Sequence, residues 1–192
     1  MKKLLLTEVA LRDGSHVVGH QFTKEQVRNV TKQLSAAGVP YIEVTHGDGL
    51  GGSSLQYGFS KEYDIELVKV AVEQAGNSTI AVLLLPGIGT IEDLKKAYDA
   101  GARMVRVATH VTEADVSKQH IETAKAMGME VVGFLMMAHS ASPESVLEQA
   151  KLMQSYGADV VYVTDSAGAM LPSDVTARIS LLKTHLSVDI GF

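Results

Sequence analysis

Arg12, Asp13 and His16 follow a short apolar run and set a guanidinium, a carboxylate and an imidazole close together in the chain. A carboxylate just past a strand can ligate a divalent cation. A neighbouring guanidinium can hold an oxyanion as it develops, and a neutral imidazole can take a proton near pH 7. The competing reading is an Arg–Asp pair that closes a loop, with His16 solvated. A second cluster is the glycine-rich run His46-Gly47-Asp48-Gly49-Leu50-Gly51-Gly52-Ser53-Ser54. Its backbone N–H groups could cradle a phosphate, but it lacks the G-K-[ST] ending of a P-loop. A loop that covers a site is the favoured alternative, with Tyr57 and Phe59 packed against it. Asp165-Ser166-Ala167-Gly168-Ala169 is a third cluster. The Ser166 hydroxyl and nearby N–H groups could hold a carboxylate, or could simply make a turn.

The histidines sort by position. His16, His20, His46, His110 and His139 each follow a candidate strand, whereas His120 and His185 fall in helical stretches. His46, His110 and His139 could in principle share a metal. No i, i+2 or i, i+4 pairing supports that, and His16 and His20, four apart, fall in a predicted loop. Hydrogen bonding or packing of a substrate loop is the expected role for these side chains.

The elements that must position these groups alternate. Apolar runs at Leu4–Val9, Tyr41–Thr45, Thr79–Leu85, Arg103–Ala108, Glu130–Met136, Asp159–Thr164 and Ser187–Phe192 predict strands. Several are apolar on both faces, as buried parallel strands are. Leu83 and Leu85 point to one side of their strand and Leu84 to the other. Helix starts are predicted at Thr23 (a capping box with Gln26), Thr90, Thr112, Ser142-Pro143 and Pro172, with stops at Gly38, Gly101, Gly128 and Gly157. The methionines Met127, Met129, Met136, Met137, Met153 and Met170 are expected to fill core gaps. Strand starts recur about every 30 residues, a spacing that fits both a (β/α)8 barrel of roughly 250 residues and an open doubly wound sheet. Arg12-Asp13-Gly14-Ser15-His16 is not G-x-G-x-x-G, which weakens a dinucleotide-binding version. In both folds the functional edge lies at the C-terminal ends of the strands. No linker interrupts the pattern, so residues 1–192 read as a single domain.

Composition limits the partners. The chain has 192 residues, 17 Lys+Arg and 22 Asp+Glu, for a formal charge of −5. With 46% hydrophobic and 20% charged residues it reads as a globular chain without a basic patch, so neither nucleic acid nor a membrane is an expected partner. The start Met1-Lys2-Lys3-Leu4-Leu5-Leu6 is too short for a signal peptide, since Glu8 and Arg12 soon follow. Cysteine is absent, which excludes disulfides, zinc–thiolate sites and a cysteine nucleophile and fits a cytoplasmic location.

Taken together, Leu11-Arg12-Asp13-Gly14-Ser15-His16 with His20-Gln21-Phe22-Thr23, then Ile42-Glu43-Val44-Thr45-His46-Gly47-Asp48-Gly49-Leu50-Gly51-Gly52-Ser53-Ser54, resemble the 4-hydroxy-2-oxovalerate aldolases of the DRE-TIM metallolyase superfamily. The resemblance continues in Leu84-Leu85-Pro86-Gly87-Ile88-Gly89-Thr90, Ala108-Thr109-His110, Gly133–His139 and Asp165–Met170. It implies an α/β fold, a (β/α)8 TIM barrel that would be truncated here at about the seventh strand. It also implies cleavage of 4-hydroxy-2-oxopentanoate to pyruvate and acetaldehyde, in aromatic hydrocarbon catabolism. The implied cofactor is Mn2+, with Mg2+ or Co2+ as substitutes. By the same resemblance Asp13 is a metal ligand, Arg12 stabilises the pyruvate enolate, and His16 takes the C4 hydroxyl proton. Ser166 would hold the carboxylate end, and Leu83 and Leu85 would line the pocket near the aldehyde portion. Two further histidine ligands are expected beyond Phe192, so activity of the chain by itself is in doubt. The implied partners are a small 2-keto acid and an acylating acetaldehyde dehydrogenase. Self-association is a hazard if strand edges stay open. The sequence alternatives are a Claisen-type acyl-CoA condensing enzyme of the same superfamily and a non-catalytic assembly module. The glycine-rich motif argues against the first. No strand from Tyr41–Thr45 through Asp159–Thr164 carries a lysine, which argues against Schiff-base chemistry.

Overall fold

The computed structural model describes residues 4–192. The basic start Met1-Lys2-Lys3, and that part of the N-terminal reading, lies outside the described residues. The chain forms two compact units, Met1–Val105 and Arg106–Phe192. In the first, β1 (Thr7–Glu8), β2 (Tyr41–Glu43) and β3 (Thr79–Leu84) alternate with α1 (Lys24–Ala36), α2 (Asp64–Gln74) and α3 (Ile91–Asp99). β1 pairs parallel to β2 with Glu8 opposite Ile42, and β2 parallel to β3 with Ile42 opposite Ile80. β4 (Met104–His110) crosses the division between the units. The second unit holds α4 (Lys118–Ala126), β5 (Glu130–Met136), α5 (Pro143–Ser155), β6 (Val160–Val163), α6 (Pro172–His185) and β7 (Asp189–Gly191). β5 pairs parallel to β6, and β6 parallel to β7. Among the described residues the architecture is α/β and TIM-barrel-like, with seven strands in the order in which the chain makes them.

Local chemistry accounts for the elements. Thr23 accepts the Gln26 N–H and the Gln26 side chain returns to the Thr23 N–H, closing a capping box on α1. Thr90 and Asp93 do the same on α3, and Ser142 caps α5 with Pro143 in its first turn. The helix-to-strand joints at Gly38, Gly101 and Gly157 all take a left-handed φ, between 80° and 109°, which glycine alone adopts at little cost. β3 is buried from Ile80 through Leu84, as a strand covered on both faces must be.

Four expectations need correction. The helix placed at Thr112 begins instead as a short 3-10 turn (Ala114–Ser117) that leads into α4 at Lys118. The reason is local: the Thr112 hydroxyl bonds His110 Nδ1 at 2.8 Å and is not used as a cap. Helix α2 was not expected, because its N-cap, Tyr63, makes no side-chain capping bond. Tyr57 and Phe59, expected to pack against the glycine-rich run, keep much of their surface in solvent, 37% and 62%. Of the methionines, Met129 and Met153 are buried as core fillers, whereas Met137 is 38% exposed and takes a left-handed φ of 58°.

Gly133 in β5 lies under α5, where a Cβ would sit 2.6 Å from Met153 Sδ and 2.9 Å from its Cβ. Gly133→Ala should therefore lower unfolding free energy by about 1–3 kcal/mol in urea titration, through overpacking.

Candidate active-site residues

The N-terminal site residues gather where β1 and β2 end. Beyond β1 the chain turns sharply, with the Arg12, Asp13 and Gly14 N–H groups all aimed at the Val9 carbonyl. Asp13 then opens a short 3-10 turn that ends at His16. Arg12 is buried. Its Nε donates to Glu43 Oε2 at 2.6 Å, and its Nη1 donates to Asp13 Oδ1 at 2.8 Å and to the Gly47 carbonyl at 3.3 Å. Glu43 has no exposed surface. Desolvating both charges is tolerable only because they meet directly and the guanidinium forks onto further acceptors. One side chain thereby ties the end of β1 to Glu43 in β2 and to the loop after it. Asp13 is the outward member, its side chain 64% exposed.

His16, also exposed, sits against Gly47, where any Cβ would run into the imidazole ring. His20 lies 5.0 Å from His16 in an edge arrangement and stacks on His46 at 3.7 Å with a 22° tilt. Burial and the neighbouring imidazole of His16 lower the pKa of His20, and burial and His20 lower that of His46. His46 Nδ1 accepts the Asp48 N–H at 3.0 Å, which leaves Nε2 to carry the proton toward the Gly58 carbonyl at 3.1 Å. His46 is thus a buried scaffold residue, in line with the hydrogen-bonding role expected for it. His110 likewise bonds locally, to Thr112.

The glycine-rich run is held from beneath. Buried Asp64, the first residue of α2, accepts the His46 N–H at 3.0 Å and the Gly51 N–H as well. Leu50 N–H donates to the Leu83 carbonyl at 2.9 Å, and a Cβ on Gly49 would sit 2.6 Å from that oxygen. The run therefore lies against the end of β3. Leu83 is buried there, whereas Leu85 stands half-buried just past the strand, its carbonyl taken by the Ile88 and Gly89 N–H groups. β3 ends at Leu84, so the strand alternation expected to pair Leu83 with Leu85 does not extend to Leu85.

In the second unit, the Ser166 hydroxyl accepts the Met137 N–H at 2.9 Å. Met137 is the left-handed residue after β5, and buried Arg178 of α6 donates to the Ala138 and Ala141 carbonyls that follow. Asp165 accepts the Ala169 and Met170 N–H groups, which hold its pKa below the usual carboxylate value, and lies 3.4 Å from His139 Nδ1. Ser166 thus stands exposed on a loop fixed from both sides.

Glu43 and Asp64 escaped the sequence reading. A lone carboxylate inside the apolar strand Tyr41-Ile42-Glu43-Val44 is a signal that could have exposed Glu43. Asp64 had no comparable mark, since the helix it begins was itself not expected.

Two measurements test this arrangement. Glu43→Gln should cost on the order of 3 kcal/mol in urea unfolding, because it leaves Arg12 buried without its counter-charge. Burial pushes the Asp64 carboxyl up to about 6 from 3.8, so the folded chain keeps its proton where the unfolded chain has lost it. Its contribution to stability is complete below about pH 4 and is lost as pH rises through 6, by on the order of 2–3 kcal/mol. Asp64→Asn should remove that slope; parallel pH–stability curves for the two proteins would refute the assignment.

Comparison with known proteins shows what the chain is similar to. The chain is 64% identical over 187 residues to a 4-hydroxy-2-oxovalerate aldolase of Bacillus cereus, which covers 97% of this chain and 55% of the relative. A Chloroflexus aggregans protein of the same name is 58% identical over 192 residues, covering all of this chain and 56% of that one. The chain thus spans about half the length of the curated relatives it matches. Among solved structures, the carboxyl transferase domain of Rhizobium etli pyruvate carboxylase superposes with a TM-score of 0.79 at 16% identity, over 99% of this chain and 35% of that one, which shows a shared fold. A family model described as HMGL-like matches residues 3–192, and the chain belongs to that family.

Proposed function

We propose that this chain carries the N-terminal half-site of a divalent-metal-dependent aldolase that cleaves 4-hydroxy-2-oxopentanoate to pyruvate and acetaldehyde. The observation that carries the reading is the Arg12 guanidinium, fixed by buried Glu43 and paired with exposed Asp13. The names of relatives at 58–64% identity support it.

The reaction is a retro-aldol cleavage. His16 takes the proton of the C4 hydroxyl. The C3–C4 bond breaks, its electron pair passes into the enolate of pyruvate, and acetaldehyde leaves with the C4 oxygen as its carbonyl. The enolate is then protonated at C3. Arg12 faces the oxygen on which negative charge develops, where a preorganised guanidinium lowers the barrier most. Ser166 holds the substrate carboxylate, and Leu83 and Leu85 shape the space beside the leaving aldehyde. The exposed carboxylate of Asp13 fits a hard divalent cation as one anionic oxygen ligand, and the cation supplies further stabilisation of the enolate charge when bound. Delivery of acetaldehyde to an acylating dehydrogenase belongs to the same proposal, since the product is a small reactive aldehyde.

The test is Mn2+-dependent release of pyruvate from 4-hydroxy-2-oxopentanoate. Arg12→Lys should lower kcat by about two to three orders of magnitude, as loss of an oxyanion donor does, with less effect on KM. Asp13→Asn should abolish the Mn2+ dependence. Equal rates for wild type and Arg12→Lys would sink this reading.

A further inference from the structure

His16, His20 and Asp48 each bring one ligand atom to within 4.8 Å of the other two. We propose that these three side chains form a second cation site, separate from Asp13, for a borderline transition metal such as Zn2+, and that loading it withdraws His16 from the reaction. The site stands on geometry alone; the inhibitory consequence rests on the aldolase reading.

Two imidazoles and one carboxylate match Zn2+ or Co2+ better than Mg2+ or Ca2+, which prefer oxygen-only shells. Three protein ligands leave a fourth tetrahedral position for water or substrate. A tetrahedral ion with bonds of about 2.0–2.1 Å needs its ligand atoms roughly 3.4 Å apart, within reach of atoms that already lie no more than 4.8 Å from one another. His16 is exposed and Asp48 is flanked by Gly47 and Gly49, so rotation of these two can close the site.

The surroundings are prepared in a way that the aldol reaction does not require. His20 takes a left-handed φ of 61°, a conformation that costs a non-glycine residue about 1–2 kcal/mol. It is held there because its N–H donates to the Ser15 carbonyl at 2.7 Å and its own carbonyl accepts the Lys61 N–H at 3.0 Å. The ring is then clamped between the Ser15 hydroxyl, 3.0 Å from Nδ1, and the stacked face of His46. His46 holds both of its nitrogens in hydrogen bonds and is buried, so it is not a ligand, whereas at half-buried His20 only the backbone hydrogen bond to Tyr57 has to give way for the ring to ligate. His46 acts from behind, stacking on one ligand and taking the backbone N–H of the other, Asp48. Strain at one ligand and orientation of two by a third residue are what a second shell provides.

The experiment titrates the chain, stripped with a chelator, with Co2+ and follows its visible ligand-field bands. One equivalent should bind with the intense bands of a tetrahedral site, and Zn2+ should displace it. His20→Gln and Asp48→Asn, each checked for native circular dichroism, should weaken Co2+ binding by about 10–100-fold. Asp13→Asn should bind as wild type does. No tetrahedral bands, or bands lost in Asp13→Asn and kept in His20→Gln, would overturn the site. In the pyruvate-release assay with Mn2+, added Zn2+ should inhibit the wild type and spare Asp48→Asn. Binding without inhibition overturns the regulatory half alone. Absence of any pyruvate release sinks the aldolase reading together with that half, and leaves the Co2+ result to decide the site.

Discussion

The polar cluster of the first unit is organised around a buried ion pair. Arg12 and Glu43 meet at 2.6 Å with almost no solvent around them. Such a pair returns little stability, because each ion forfeits several kcal/mol of hydration. What it gains is direction. With Nε committed to Glu43, the guanidinium plane is held, and its Nη1 N–H groups are directed at Asp13 and the Gly47 carbonyl. A lysine in that place would hold its charge but not its plane.

Around that fixed point the backbone does work usually done by side chains. Two turns, one running from Asp13 to His20 and one from His46 to Ser54, carry the histidines and Asp48, and glycine at position 47 gives His16 its space. Asp64 holds the second turn by its amides while its own charge stays buried at a cost. The second unit solves the same problem with a cation. Arg178 gathers the carbonyls after β5, so that left-handed Met137 can offer its N–H to Ser166.

Much of this was legible in the residues. Apolar β-branched runs located each of the seven strands, and Thr23, Thr90 and Ser142 marked their helices, because strand burial and capping are local properties. The motif Arg12-Asp13-Gly14-Ser15-His16 also announced a cluster at the end of β1. What escaped was set by tertiary partners. Thr112 had the type of a cap and was claimed by His110. Asp64 had the type of a helix-starting residue and was claimed by a loop. The stack of His20 on His46 has no sequence signature, since it depends on a left-handed turn at a residue that rarely makes one.

Arg12, His16, His20, Glu43, His46, Asp48 and Asp64 all lie in the stretch from β1 to the start of α2. The bonds that hold them from Arg12 to Lys61 close within that one segment, the farthest in sequence joining His20 to Lys61. Loop-closure entropy rises only slowly with length, and contacts of modest separation form early in folding. This cluster can therefore be assembled as the ribosome delivers its first βαβ segment, before the strands of the second unit have been made.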